Sequence, residues 1–148
     1  MNWHLKAFAE LNTTELYDIM QRREQVFVVE QTCPYLDADG SDIHALHLWA
    51  NDGQQTVVAY TRIFLGKDGD GYSRIGRVLT AQSVRRSGLG RELMQRALDV
   101  CHTYTPNLSI RLAAQVYLRA FYESFGFVAI SDEYLEDDIP HIDMERQP

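Results

Sequence analysis

The chain has 148 residues, 45% hydrophobic and 24% charged, with eight Tyr, six Phe and two Trp. That supplies one aromatic-rich core in a single domain, residues 1–148, and excludes a disordered chain. The formal charge of −7 argues against a nucleic-acid partner, which needs surplus Lys and Arg to neutralise phosphates. It fits a cationic substrate such as an amine, or it serves solubility alone.

The N-terminal ten residues show neither an unbroken apolar stretch nor a cleavage pattern, and Val26-Phe27-Val28-Val29 is too short to cross a bilayer. The expectation is a cytoplasmic protein with no membrane partner. Asn12 followed by Glu15 forms a capping-box pattern, and Leu16, Ile19, Met20 and Arg23 follow at helical spacing. This predicts a helix from 13 to about 24. Residues 25–45 have no clear period; they contain Glu30-Gln31, Cys33-Pro34-Tyr35 and the acidic loop Asp37 to Asp42. Cys33 and Cys101 form no CxxC pair and read as buried or free thiols, so no structural zinc is expected.

Three strands are predicted next: Ala45 to Ala50, Thr56 to Leu65 and Ser73 to Leu79. Turns at Asn51-Asp52-Gly53 and at Lys67 to Gly71 separate them. Residues 88 to 102 form the clearest helix, with Leu89, Leu93, Met94, Ala97, Leu98 and Cys101 on one face. A strand from Ser109 to Ala114 follows. Then comes a short helix lined by Leu118, Phe121, Tyr122 and Phe125, which Gly126 ends. Phe127 to Ile130 and Ile142 to Glu145 read as the last strands. A meander followed by alternating strands and helices predicts an α+β (mixed α/β) domain with a mixed sheet.

The junction between the strand ending at Leu79 and the helix starting at Gly88 carries chemistry. A helix start leaves backbone N–H groups free, its dipole favours an anion, and glycines let the backbone come close to one. Arg85, Arg86 and Arg91 add positive charge around Arg85-x-x-Gly88-x-Gly90. The physics points to phosphate or diphosphate. A P-loop is excluded because no GxxxxGK string exists, and the dinucleotide fingerprint is excluded because Leu93 stands where a third glycine is needed. The glycines taken alone are also compatible with an ordinary loop-to-helix start.

Arg85-x-x-Gly88-x-Gly90 between a strand and a helix resembles the pyrophosphate loop of the GNAT superfamily of acyl-CoA N-acyltransferases. Phe121-Tyr122-Glu123-Ser124-Phe125-Gly126-Phe127 resembles that superfamily's aromatic motif. Trp3, Leu16-Tyr17, Arg23 and Val26-Phe27-Val28-Val29-Glu30-Gln31-x-Cys33-Pro34-Tyr35-x-Asp37-x-Asp39-Gly40 resemble the ElaA family within it. The resemblance implies a central, mostly antiparallel mixed sheet flanked by helices, with two splayed central strands and acetyl-CoA between them. Backbone groups of Val78, Leu79 and Thr80 would pair with pantetheine, and Leu79 N–H would be the oxyanion donor. The N–H groups of Arg85, Arg86, Ser87, Gly88, Leu89 and Gly90, with Arg91, would hold the pyrophosphate. Gln115 stands where many members carry an Asn that touches pantetheine.

By the same resemblance Tyr122 donates a proton to the CoA thiolate; the alternative is that it only packs, like Phe121 and Phe125. The acceptor site, with its general base, is expected among Glu30, Asp42, His44 and His47. Asp37, Asp39 and Asp42 would anchor a cationic acceptor or form a solvated loop. They are not an EF-hand, because Asp42 and Leu48 occupy the Gly and Glu positions. His44 and His47 stand at i, i+3 without an evident third ligand, so no metal is expected. The implied activity is acetyl transfer to a small-molecule or peptide amine, within a chain that leaves room for a homodimer. A non-catalytic acyl-CoA sensor on the same fold, and a phosphate-binding domain of some other enzyme, are the alternatives.

Overall fold

The computed structural model of the chain describes residues 1–67, 69 and 71–148. The described residues form one mixed sheet of eight strands: β1 (Asn2–Ala7), β2 (Leu46–Asn51), β3 (Val57–Phe64), β4 (Tyr72–Thr80), β5 (Ser109–Gln115), β6 (Val128–Ala129), β7 (Tyr134–Glu136) and β8 (Ile139–Arg146). Their spatial order is β1-β2-β3-β4-β5-β8-β6, and β7 pairs with β8. Only β4 and β5 run parallel. Helices α1 (Thr13–Arg23), α2 (Leu89–Tyr104) and α3 (Arg119–Glu123) cover the sheet. None of the described helices is long and apolar enough to cross a membrane.

The first helix starts where the capping box predicts. Glu15 N–H donates to Asn12 Oδ1 (2.7 Å), and Asn12 N–H donates back to Glu15 Oε1 (3.0 Å). Instead of ending at Arg23, the chain widens into π-helical turns over Glu24–Glu30. Val26 of that segment joins Ile19, Trp49, Val57, Tyr60 and Leu79 in one core cluster. The predicted apolar face of α2 is buried as a unit, against Leu48, Ala50, Val58, Ile63 and Ile75 in the larger cluster. Each fully buried Leu or Met there contributes roughly 1.5–3 kcal/mol.

Two strands had no counterpart in the sequence reading. β1 is an edge strand without a β-branched residue; Trp3 packs against the larger core, and His4 stacks on Trp49 with ring centroids 4.9 Å apart. β7 forms a tight hairpin with β8, in which Glu136 pairs with Ile139. Asp137 and Asp138 both take positive φ, 52° and 62°. That is the twist a two-residue hairpin requires, supplied by Asp-Asp instead of the usual Asn-Gly. The turn read at Lys67 to Gly71 includes Asp68 and Asp70, which lie outside the described residues.

The feature that positions the site is the parting of β4 from β5. They pair only at Tyr72–Ser109, Ser73–Ile110 and Arg74–Arg111, and diverge beyond. On its other side β4 carries a bulge: Tyr60 pairs with Leu79 and Arg62 with Gly76, so one extra residue stands on β4. Arg77 sits in that bulge with φ of 49°. Thr61 Oγ1–H donates to Gly76 O (2.7 Å) and pins the bend.

Candidate active site

A cleft of about 1150 Å³ opens where β4 and β5 diverge. Val78, Leu79 and Thr80 form one wall, and Gln115, Leu118, Phe121 and Tyr122 form the other. Leu79 buries its side chain among Ile19, Val26, Trp49 and Tyr60. Its N–H lies on the β3 side opposite Tyr60, in the register that Ala81 N–H to Val58 O continues. The N–H groups turned to the cleft are those of Val78 and Thr80, so the oxyanion donor expected at Leu79 falls to Val78 instead. Beyond Thr80 the chain turns into α2. Arg86 and Gly88 adopt left-handed φ of 65° and 86°, and Gly88 caps the helix. The N–H groups of the first helical turn have no intrahelical acceptors. Gly90 lines the cleft; a Cβ there would touch Thr80 and Phe121 only at ordinary contact distance. Leu89 is buried, whereas Arg86, Ser87 and Gly88 are exposed. Ser87 Oγ–H donates to Val84 O and tightens the loop.

Arg85 holds the loop to the π-helical segment. Its guanidinium donates to both Glu30 carboxylate oxygens, at 2.6 and 2.7 Å, and also to Thr80 O at 2.9 Å. The hydrogen bonds from Arg85 hold Glu30 below its ordinary pKa. Gln31, next in sequence, accepts from Gln115 Nε2 at 3.3 Å. Residues 30 and 31 thus bridge the cleft's two walls. Arg91 turns toward α3, donating to Ser124 Oγ at 3.0 Å with its guanidinium 4.6 Å from the Phe125 ring centroid.

Tyr122 is buried and meets Phe121 and Phe127 edge to face. Burial pushes its phenol above the ordinary value, so it stays protonated well past neutrality. Its hydroxyl has no hydrogen-bond partner among the described residues, and the side chain lines the cleft. A protonated phenol facing a cleft is equipped to give up a proton there.

The residues expected to bind the acceptor are distributed differently. Asp42, His44 and His47 are not on the cleft wall. His44 is exposed. His47 is fully buried, with Nδ1 2.7 Å from Tyr60 Oη and Nε2 2.9 Å from Asp42 O. Since a carbonyl only accepts, Nε2 carries the proton and Nδ1 accepts from the tyrosine; burial depresses the imidazole's pKa. Asp42 Oδ1 accepts from Arg23 (2.6 Å) and Arg62 (3.0 Å). Burial works against its charge, but the two guanidiniums outweigh it and hold its pKa low. Asp37 and Asp39 do line the cleft, already paired with arginine. Arg23 Nε reaches Asp37 at 2.7 Å, Arg77 Nε reaches Asp37 at 2.8 Å, and Arg62 reaches Asp39 at 2.6 Å. Three carboxylates against three guanidiniums leave the acidic loop no net charge with which to anchor a cation. The anchor expected there has no free charge to act with.

Sequence reasoning passed over what stands nearby. Tyr134, His141 and Asp143 come together through the β7–β8 hairpin, and His141 and Asp143 line the cleft with Glu136. The available signal was the alternation of His141, Asp143 and Glu145 with Ile142 and Met144, which puts the polar residues of β8 on one face. Among the described residues no three His, Cys, Asp or Glu side chains are grouped to hold a metal ion.

Comparison with known proteins matches residues 16–148 to the family described as acetyltransferase (GNAT) domain. Protein ElaA of Escherichia coli K12 is 40% identical over 152 residues, covering 99% of this chain and 97% of its own. The crystal structure of Escherichia coli ElaA superposes with a TM-score of 0.93 at 38% identity, over 99% of each chain. An acyl-CoA N-acyltransferase from Pseudomonas aeruginosa superposes with a TM-score of 0.92 at 42% identity, again over 99% of each chain.

Proposed function

The chain belongs to the ElaA family of GNAT acyltransferases, and from that membership we propose that it transfers acetyl from acetyl-CoA directly to an amine in a ternary complex. The parted strands carry this reading, because one short segment supplies everything a CoA thioester needs. Val78 to Thr80 offer a strand edge to pantetheine. The left-handed loop and free N–H groups from Arg85 to Gly90 suit the pyrophosphate. A thioester lying between β4 and α3 brings its carbonyl to the backbone N–H of Val78, which the ladder alternation turns away from β3, a donor of the kind worth roughly 2.7–4 kcal/mol to an oxyanion. The amine nitrogen attacks that carbonyl, the C–S bond breaks, and the sulfur takes the Tyr122 proton. Gln115 keeps its amide toward the cleft and suits the pantetheine arm.

The test is CoA release from acetyl-CoA over a panel of polyamines, amino acids, aminoglycosides and lysine peptides, for wild type and Tyr122→Phe. Wild type is expected to turn over at least one amine. Tyr122→Phe is expected to lower kcat by roughly 10²-fold or more, with acetyl-CoA affinity unchanged. Acetyl-CoA binding without turnover on any amine would instead make the protein an acyl-CoA sensor. Undiminished kcat in Tyr122→Phe would remove the acid role.

A further inference from the structure

Three of the four residues expected to hold the base, Asp42, His44 and His47, do not reach the cleft, and the fourth, Glu30, is occupied by Arg85. The reaction still needs a group to take the amine's proton. Resting on the transferase reading above, we propose that His141 is that general base, acting through Nε2.

The hairpin fixes the ring. His141 Nδ1 lies 2.7 Å from Ile139 O. A carbonyl cannot donate, so Nδ1 carries the proton and Nε2 of the neutral ring keeps its lone pair. The side chain is mostly buried, at 12% exposure, yet lines the cleft. Among the described residues its Nε2 makes no hydrogen bond, and Glu136 Oε2 stands 3.8 Å away. In the neutral state two acceptors therefore face one gap with no donor between them. The N–H of a neutral amine donates into that gap, and the Glu136 carboxylate stands beside the nitrogen that takes the proton.

Strand register puts this gap at the height of the chemistry. β4 and β5 are paired at Tyr72–Ser109. Six residues farther on, Val78 and Gln115 are level, and the extra residue in the β4 bulge brings Leu79 close to the same height. Gln115 pairs with His141 across β5–β8, so both side chains leave the same face. Val78 N–H, turned away from β3, and His141 thus stand on opposite walls at one level. Tyr134 stacks on the ring at 6.1 Å and donates to Asp143, and the turn that leads into β8 carries Asp137 and Asp138, contacted by Cys33 and Tyr35. Of these the carboxylates accept, and none occupies Nε2.

In the step, Nε2 takes one proton from the attacking nitrogen, the nitrogen forms the C–N bond, and the thiolate leaves with the Tyr122 proton. The isolating variant is His141→Asn, whose amide N–H can keep the bond to Ile139 O but which has no base at Nε2. With the panel amine that wild type acetylates, kcat/KM is expected to fall roughly 10²-fold while acetyl-CoA affinity stays within twofold. His141→Ala is expected to regain activity when imidazole is added, which a packing role would not produce. Independently of any acceptor, the ring ¹⁵N shifts, assigned by their loss in His141→Asn, are expected to report a protonated Nδ1 and a bare Nε2. A wild type that turns over beside an equally active Asn variant, or a ring protonated at Nε2, overturns the base and leaves the transferase reading intact. A wild type that binds acetyl-CoA and acetylates nothing overturns both.

Discussion

Asp42 separates a structural from a substrate-binding reading of the acidic loop. Its Oδ1 is shared by Arg23 and Arg62, and the Arg23 side chain has no exposure at all. Asp42→Ala leaves two buried guanidiniums each short of a partner. Breaking a buried pair from one side costs about 3–5 kcal/mol. Arg23 keeps Asp37 and Arg62 keeps Asp39, so the lower end, about 3 kcal/mol, is expected. A chain of 148 residues unfolds with an entropy of roughly 0.3 kcal/mol/K near its midpoint, so Tm should fall by about 10 °C. Asp42→Asn keeps an acceptor and should lose less. Calorimetry of wild type and both variants measures this, and the amine KM of the same proteins separates the alternative. A Tm shift under about 2 °C for Asp42→Ala would refute the reasoning, and a raised KM beside it would return Asp42 to the acceptor site.

Glu30→Gln frees Arg85 from an exposed ion pair worth roughly 0.2–1 kcal/mol; if Arg85 turns to the pyrophosphate, acetyl-CoA should bind up to about fivefold tighter by calorimetry at low salt, and weaker binding would mean the pair preorganises the loop. Gly88→Ala puts a side chain at φ of 86° with open space around its Cβ, so the penalty is backbone strain of about 1–2 kcal/mol; acetyl-CoA should loosen by about tenfold, while Gly90→Ala should change it less than twofold. Stability should fall with pH in two steps. Burial depresses the His47 pKa in the fold, so below about 6.5 the unfolded chain binds the extra proton and stability declines as pH drops. The Arg62 hydrogen bonds on Asp39, and the guanidiniums on Asp42, hold both carboxylates low, so their contribution is intact above about pH 4 and lost beneath it. A Tm that stays flat from pH 8 to 5 would contradict the first step.

The elements legible in the sequence are those whose signal is local. The capping box of α1, the buried stripe of α2 and the glycine that ends α3 each involve residues a few positions apart, and each forms where the pattern says. The strand, loop and helix start proposed for the cofactor are legible for the same reason, since they lie within Val78 to Arg91. The π-helical extension of α1 was not legible, because Val26-Phe27-Val28-Val29 has no period that separates strand from helix, and only packing on Tyr60 and Leu79 decides it. β7 was hidden because its turn uses Asp-Asp in left-handed conformation, tolerated by aspartate but carrying no Asn-Gly signature.

The acceptor half illustrates the opposite case. The groups proposed for it come from the loop after α1, from β3 and β4, and from the β7–β8 hairpin, and the contacts that pair the acidic loop with its arginines span from 14 to 40 residues. Residue type alone made Asp37, Asp39 and Asp42 look like an anion cluster. Arg23 sits on a helical face, Arg62 and Arg77 on strands, and nothing in their spacing shows that all three converge on that loop. Convergence changes the chemistry from an anchor to a neutral brace, and the brace has a consequence for the site. Arg77, the residue in the β4 bulge, is held by Asp37 and Asp39, and the bulge sets the level of Leu79 against Gln115. The acidic loop thus bears on the cleft by fixing the strand that carries the expected oxyanion donor. Neutralising Asp37 should therefore lower kcat more than it raises the amine KM, the reverse of what an anchoring carboxylate would give.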